Sequence, residues 1–189
     1  MVARLLPGPF TVEEYYRLGE LGILGEDDRV ELINGQVVQM TPIGPAHSGG
    51  VIFLADRISH LVGTAALVSS QNPLRLGERD EPQPDLALLV RRPGGYRQAH
   101  PGPADVLLVI EVADSSLEYD REVKLPLYAR AGIPEAWLVN LPADHVELHR
   151  EPRPEGYASV RIARRGETVQ SLVLEGVALS VEEILGPAE

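Results

Sequence analysis

Residues able to do chemistry stand in a fixed order along the chain: Asp85 in "QPDLALLV", Glu111 in "DVLLVIEV" and Lys124 in "YDREVKLPLYARAGIPEAWLVN". The two acids meet if their apolar runs pair as antiparallel strands joined through the loop around Gln98. Paired positions in a hairpin have a constant sum. Asp85 with Glu111 gives 196, and so does Arg91 with Asp105 at the loop edges. Residues directly opposite share a sheet face, with Cβ atoms about 5 Å apart. Carboxylates that close repel unless a proton or a cation lies between them. Hard divalent cations take such oxygens, and Mg²⁺ usually keeps several waters beside one or two carboxylates. The pattern predicts a Mg²⁺-class site with open positions, Mn²⁺ being the other candidate ion.

Lys124 is the sole lysine; arginine supplies the other sixteen of the 17 basic side chains. It follows the Glu111 strand, on a segment that can fold back over the strand ends. An ammonium there could orient or activate an attacking water, or neutralise charge developing on a phosphate. Glu31, in "RVELINGQVV", adds a third carboxylate if that segment packs close by. Plainer readings stand beside these. Asp85 after Pro84 suits a turn cap, Lys124 a helical ion pair with Asp120, and Tyr128 a packed core position. His47 and Ser48 lack a nucleophile elbow or oxyanion glycines and are expected to cap a helix or face solvent. His145 and His149 alternate along one strand, with no second metal site expected. Arg91, Arg92 and Arg97, like Arg161, Arg164 and Arg165, could touch phosphates but read as solvated faces.

The elements that must position these residues follow from periodicity. Thr11 and Glu14 form a capping-box pattern that starts a short helix. Two β-rich runs flank Asn34-Gly35, the favoured two-residue hairpin turn. Val51, Leu54, Ile58, Leu61 and Val62 recur at helical spacing over about 46–62. Short β-like runs follow at "ALVSSQ", "PLRLGE" and "PDLALLVRR". "DVLLVIEVA" is nearly all apolar, as for a central strand buried on both faces. A helix is predicted over about 119–131, ending at Gly132 and kinked by Pro126. "EAWLVN" and "HVELHRE" form two strands around "LPAD", and the tail gives short strands and a last helix, "SVEEILG". The order predicts an α+β or α/β fold with a mixed sheet.

Composition sets limits. The length of 189 residues suits one domain over 1–189. Such a chain buries roughly 70% of its unfolded surface, enough for a core without staples. There is no cysteine, hence neither a disulfide framework nor a thiolate metal site. The opening "MVARLLPGPFTVEEYY" does not read as a signal peptide, and no window approaches the ~20 apolar residues of a membrane helix. A cytoplasmic protein without a membrane partner is expected. The net charge of −11 argues against passive, whole-surface binding of nucleic acid. It leaves room for a nuclease, because a metal site itself concentrates carboxylates.

Four phrases in this order, "RVELINGQVV", "QPDLALL", "LVIEVADSS" and "YDREVKLPLYARAGIPEAWLVN", resemble the Uma-type family of putative restriction endonucleases, within the PD-(D/E)XK nuclease superfamily. The resemblance runs from about Thr11 to Val146. It implies a restriction-endonuclease-like core: a central mixed β-sheet flanked by helices, with an N-terminal β-hairpin. It also implies metal-dependent attack of water on a phosphodiester, with DNA as substrate and a homodimer that cuts two strands. Carried over, Asp85 is the aspartate of the Pro-Asp pair and Glu111 takes the acidic position of the (D/E)XK half. The backbone carbonyl of Val112 becomes a further metal ligand, and Glu31 and Gln83 additional members. The residue two after Glu111 is Ala113, where the pattern asks for lysine; Lys124 on the following helix is the candidate replacement. The rival reading is a catalytically inactive nuclease-fold protein acting as a nucleic-acid-binding or regulatory module. A hydrolase of smaller phosphoesters is a third.

Overall fold

The structure, a computed structural model, describes residues 4–6, 8–25 and 27–187. Its centre is a six-stranded mixed sheet in the order β4-β5-β6-β7-β8-β9. These strands are Leu67–Ser70, Leu86–Leu89, Val106–Ala113, Glu135–Asn140, His145–Arg153 and Gly156–Arg164. All neighbours pair antiparallel except β6 and β7, which run parallel. The parallel step needs a crossover, and the helix between Glu111 and Glu135 supplies it.

The pairing of β5 with β6 follows the constant-sum register: Leu86 faces Ile110 and Leu88 faces Leu108. Asp85, one residue before β5, therefore comes opposite Glu111. Nearer the loop the register shifts by one residue, and Leu89 faces Val106. Arg91 is thus not opposite Asp105 as the constant sum predicted. It is Arg92 that forms an ion pair with Asp105.

Strand β6 separates two cores. Leu108, Ile110 and Val112 face the cluster built with α2 (Pro45–Val62) through Val51, Leu54, Ile58 and Val62. Val109 and Ala113 face the opposite cluster with Leu125 and Tyr128. Glu111 alternates onto this second face and is the polar member of an apolar row.

The crossover helix, α3, has three parts: an α-turn Leu117–Tyr119, a π-helical stretch Asp120–Lys124 and an α-helical stretch Leu125–Arg130. The predicted kink at Pro126 is instead a widened turn just before it. The Leu125 N–H bonds back to the Asp120 carbonyl. Pro126 has no N–H and its ring crowds the carbonyl four residues earlier, so a regular α-turn is disfavoured there. The wider turn also has a positional effect. Four residues overrun an α-turn by about 40°, so a stripe spaced by four drifts around a regular helix. A wider turn opposes the drift, and Asp120, Lys124 and Tyr128 all remain buried. The helix closes as a Schellman motif: Gly132 N–H to Ala129 carbonyl, 2.9 Å, and Ile133 N–H to Tyr128 carbonyl, 3.0 Å.

A three-stranded sheet, β1-β3-β2, lies at the N-terminal side. Strand β1 is Arg4–Leu6, and β2 (Val30–Ile33) joins β3 (Gln36–Gln39) through Asn34 and Gly35 with φ of 49° and 71°. Both central residues at positive φ define the turn that Asn-Gly favours. Val30 and Leu32 face α1 (Val12–Glu20), which starts with the Thr11–Glu14 capping box. Ile33 faces Leu127 of α3, and Glu31 shares that side.

Other expectations are corrected. "PLRLGE" forms no strand; the nearby pairing is a single bridge between Leu32 and Glu81. The tail is not made of short strands alone, since β9 spans nine residues. It is followed by β10 (Thr168–Gln170), β11 (Ala178–Ser180) and α4 (Val181–Leu185).

Two glycines give predictions of opposite sign. Gly132 holds φ at +79°, where an L side chain costs about 1–2 kcal/mol. Gly49 lies exposed within α2, with nothing within 4 Å of an added Cβ. Gly132→Ala is expected to lower the unfolding free energy by about 1 kcal/mol, and Gly49→Ala to raise it by about 0.5–1 kcal/mol, both measured by urea denaturation.

Candidate active site

At the C-terminal end of β6, helices α2 and α3 converge from opposite faces of the sheet, and the β2–β3 hairpin covers the third side. They frame a cleft that, counting the solvent at its mouth, measures about 490 Å³ and whose lining includes Glu31, His47, Asp85, Glu111, Asp120 and Lys124. All of the predicted side chains, Asp85, Glu111, Lys124 and Glu31, come together there. Each is buried, at 8%, 2%, 4% and 3% exposure.

Glu111 organises the group. Its Oε1 accepts from Lys124 Nζ at 2.8 Å and from the Tyr128 hydroxyl at 2.5 Å. Its Oε2 accepts from the Asp85 N–H at 3.3 Å. Asp85 Oδ2 accepts from the Val112 N–H at 2.9 Å. Asp85 Oδ1 faces His47 Nε2 at 3.0 Å and the Gln71 amide at 3.3 Å. The register that places the acids opposite each other thus continues as side-chain-to-backbone bonds past the end of β5. Lys124 Nζ also lies 3.7 Å from Glu31 Oε2 and 3.5 Å from the Gln83 carbonyl. Glu31 Oε2 in turn accepts the Gln83 N–H at 3.1 Å. Gln83 is tied further to β2 by its amide on the Val30 carbonyl, 2.9 Å. Lys124 is therefore not a surface partner of Asp120; its charge goes to the sheet.

Two members escaped the sequence reading. His47, in the first turn of α2, is buried against Asp85 and is neither a cap nor a surface group. Its partner is 38 residues away, and no local pattern signals such a contact. Asp120 reads in the sequence only as a helical partner of Lys124. It lines the cleft, buried, and accepts from the Ser116 hydroxyl at 2.5 Å. The spacing of Ser116, Asp120, Lys124 and Tyr128, four residues apart, was the available signal.

Proton affinities follow from burial and charge. Burial pushes Glu111 up and the Asp120 and Asp85 charges add to this, while the Lys124 ammonium pulls it back toward the ionised form. Burial likewise raises Asp120. Burial alone would lower Lys124, but the carboxylates of Glu111 and Glu31 overcome it and hold the ammonium well above the ordinary lysine range. Asp85 also resists ionisation through burial, yet His47, Lys124 and the Val112 N–H together bring it below the usual range. His47 is raised, first by its hydrogen bond to Asp85, with the Val112 backbone acting in the same direction.

The cleft is short of positive charge. Glu31, Asp85, Glu111 and Asp120 face one buried ammonium, while Arg29 stands exposed at the mouth. Among the described residues no three His, Asp or Glu side chains form a ready-made metal cage. The donor set fits an ion that keeps most of its ligands as water, as Mg²⁺ does. Asp85 Oδ1 and Glu111 Oε2, which carry the longer contacts, are the oxygens such an ion would take. His47 beside Asp85, its proton affinity raised by that carboxylate, marks a place where positive charge is favoured.

A family model described as "Uma2: Putative restriction endonuclease" matches residues 12–182. The chain belongs to the Uma2 family. The match spans the hairpin with Glu31, both acids and Lys124, so the whole cleft lies within the Uma2 region. Among solved structures, the Uma2 chain is similar to one from Anabaena variabilis ATCC 29413, titled a putative nuclease belonging to DUF820. The TM-score is 0.72 at 16% identity, covering 94% of this chain and 98% of that one. At that identity the likeness shows a shared fold. No curated protein matches the chain.

The ion pair makes a direct stability prediction. Removing one partner of a buried pair leaves an uncompensated charge and costs about 3–5 kcal/mol. Lys124→Met should lower the unfolding free energy by that amount, and adding Glu111→Gln should recover more than half of it. Urea denaturation of both variants measures this, and strictly additive losses would contradict the shared pair.

Proposed function

We propose that this chain is a metal-dependent nuclease that hydrolyses phosphodiester bonds, with DNA as its substrate and Mg²⁺, or Mn²⁺ in its place, as the ion. The observation that carries this is the placement of Lys124. Position 113 is alanine, yet a lysine from the following helix puts its Nζ 2.8 Å from Glu111 in the cleft that also holds Asp85. Asp85, Glu111 and the Val112 carbonyl would hold the ion, which when bound polarises a phosphoryl oxygen and acidifies water.

The protein groups act around it. Lys124 keeps its proton, so it does not serve as a base. It places a fixed positive charge where a pentavalent phosphorane develops negative charge, and such preorganised charge lowers the barrier. Glu31 and Glu111 hold that ammonium, and Glu31 also fixes the Gln83 backbone. Tyr128 holds Glu111 from the apolar side, leaving Glu111 Oε2 directed at Asp85. His47 orients Asp85 and keeps it ionised. Cutting both strands of a duplex takes two such clefts, which is why a homodimer belongs to the proposal. Among the described residues no helix is long and apolar enough to cross a membrane.

One observation favours the rival reading, a nuclease-fold module that binds nucleic acid without turnover. The three donors of an ammonium are matched by Glu111, Glu31 and the Gln83 carbonyl, all within 3.7 Å of Nζ. Incubation with supercoiled plasmid and with single-stranded DNA, in Mg²⁺ or Mn²⁺, separates the two. The wild type is expected to cut, and Asp85→Ala and Lys124→Ala to lose at least 100-fold in rate, the scale of removing one electrostatic stabiliser. Cutting that survives both substitutions would remove the assigned site. Absence of cutting together with salt-dependent DNA binding would favour the binding module.

A further inference from the structure

A second pocket lies away from the cleft, between α1 and the loop that joins β5 to β6. Counting the solvent at its mouth, it measures about 700 Å³, and Tyr16, Arg75, Glu81, Tyr96, Arg97 and His100 line it. Glu81 is 2% exposed. Its Oε1 accepts from the Tyr16 hydroxyl at 2.8 Å, while its Oε2 is buried with no hydrogen-bond partner. A buried carboxylate oxygen without a donor is costly and calls for an explanation. The Tyr16 and His100 rings stack with centroids 6.3 Å apart and planes 17° from parallel. Tyr16 is 44% exposed, and His100 lies on an exposed loop with Arg97. A flat face, an acceptor lacking its donor, and guanidinium groups at the rim are the parts of a nucleobase site. Stacking on an aromatic ring accepts any base, and hydrogen bonds to the Watson–Crick edge choose among them.

We propose that this pocket binds a guanine base of a single-stranded or locally unpaired nucleic acid. The base stacks on Tyr16 in the place taken by the His100 ring and donates its N1–H and N2–H to Glu81. Guanine fits best because its edge presents two adjacent N–H donors. Adenine and cytosine set one amino group beside a ring acceptor, and thymine sets its N–H between two carbonyls. The acceptors O6 and N7 are left for Arg75 or Arg97; an arginine on this pair is a common reader of guanine. Arg97 forms no ion pair among the described residues, whereas Arg75 pairs with Glu13.

The pocket is connected to the cleft by the chain itself. Glu81 bonds to Leu32 through its backbone, 2.7 Å from its N–H to the Leu32 carbonyl, next to Glu31. Glu81, Gln83 and Asp85 follow at alternate positions. Four extended residues span about 13 Å, roughly two nucleotides of an extended strand. The inference rests on the nuclease reading for its purpose: a strand held by one guanine would present a phosphodiester a short, fixed distance away.

The test measures binding without cleavage. Fluorescence anisotropy, in EDTA, follows labelled octathymidylate strands carrying one central guanine, one central inosine or no replacement. Inosine lacks the N2 amino group. The wild type should bind the guanine strand about tenfold more tightly than either other strand, the value of one good base-reading pair. Glu81→Gln should reduce that ratio below twofold. His100→Ala, on an exposed loop and outside the buried cluster, should keep or raise it by freeing the Tyr16 face. Equal binding of the three strands by the wild type and by His100→Ala overturns the site, as does a guanine preference that survives Glu81→Gln in folded protein. Asp85→Ala should keep the guanine preference while losing cleavage. Guanine preference in a protein that never cuts would therefore refute the nuclease reading alone, and cutting without preference would refute this site alone.

Discussion

Four carboxylates are gathered under one end of a sheet, and one ammonium is buried with them. This imbalance governs the rest of the molecule. Glu111 lies on a central strand, where an unpaired charge is not tolerated. Lys124 answers it at 2.8 Å. The helix must therefore return across the strand ends at a fixed height, and its π-helical stretch, Asp120–Lys124, sets that height. The β2–β3 hairpin brings Glu31 to the same ammonium, so the smaller sheet is tied to the larger through one nitrogen. A second latch on α3 works in parallel. Arg121, three residues before Lys124, pairs with buried Glu147 on β8, which also meets His145 and His149. These histidines hold a structural carboxylate in place and lie outside the cleft.

The balance is incomplete without a further positive charge. Burial and neighbouring acids hold both Glu111 and Asp120 above the usual carboxylate range, as expected of acids crowded together in a site of low dielectric. A divalent ion would reverse this for Glu111. The same crowding that is unfavourable for folding would give such an ion its affinity, so that site and stability would draw on one set of charges. The shared fold with the Anabaena variabilis protein at 16% identity and membership of the Uma2 family set this arrangement on a known scaffold. The chemistry is argued from the cleft, since a fold alone does not carry a function.

Much of this was legible in the sequence because the rules involved are local or arithmetic. Asn34-Gly35 needs no partner to specify its turn. The constant sum of a hairpin placed Asp85 opposite Glu111, and the pairing of Leu86 with Ile110 follows it. The sum failed only past Leu88, where a bulge adds a residue, and bulges leave no clear mark in a sequence. The apolar run at Val106–Ala113 declared a central strand. The resemblance named Lys124 as the candidate for the residue missing at position 113, and the fold brings it to Glu111. What was hidden depends on contacts between distant segments. His47 reaches Asp85 across 38 residues, and Glu81 meets Tyr16 across 65. The widened turn in α3 was concealed because Pro126 announces an irregularity without saying which. The strand β9 was undervalued because its burial is irregular, with most residues open to solvent, so its alternation is faint.

A cation completing the cleft is the central claim, and metal binding itself tests it most directly. Calorimetric titration of the metal-free protein with Mn²⁺ should show one site per chain. Glu111→Ala should abolish it, while Glu118→Ala, an exposed acid two residues before Asp120 on the same helix, should leave it unchanged. Wild-type protein that takes up no Mn²⁺, or an affinity unaltered in Glu111→Ala, would contradict it.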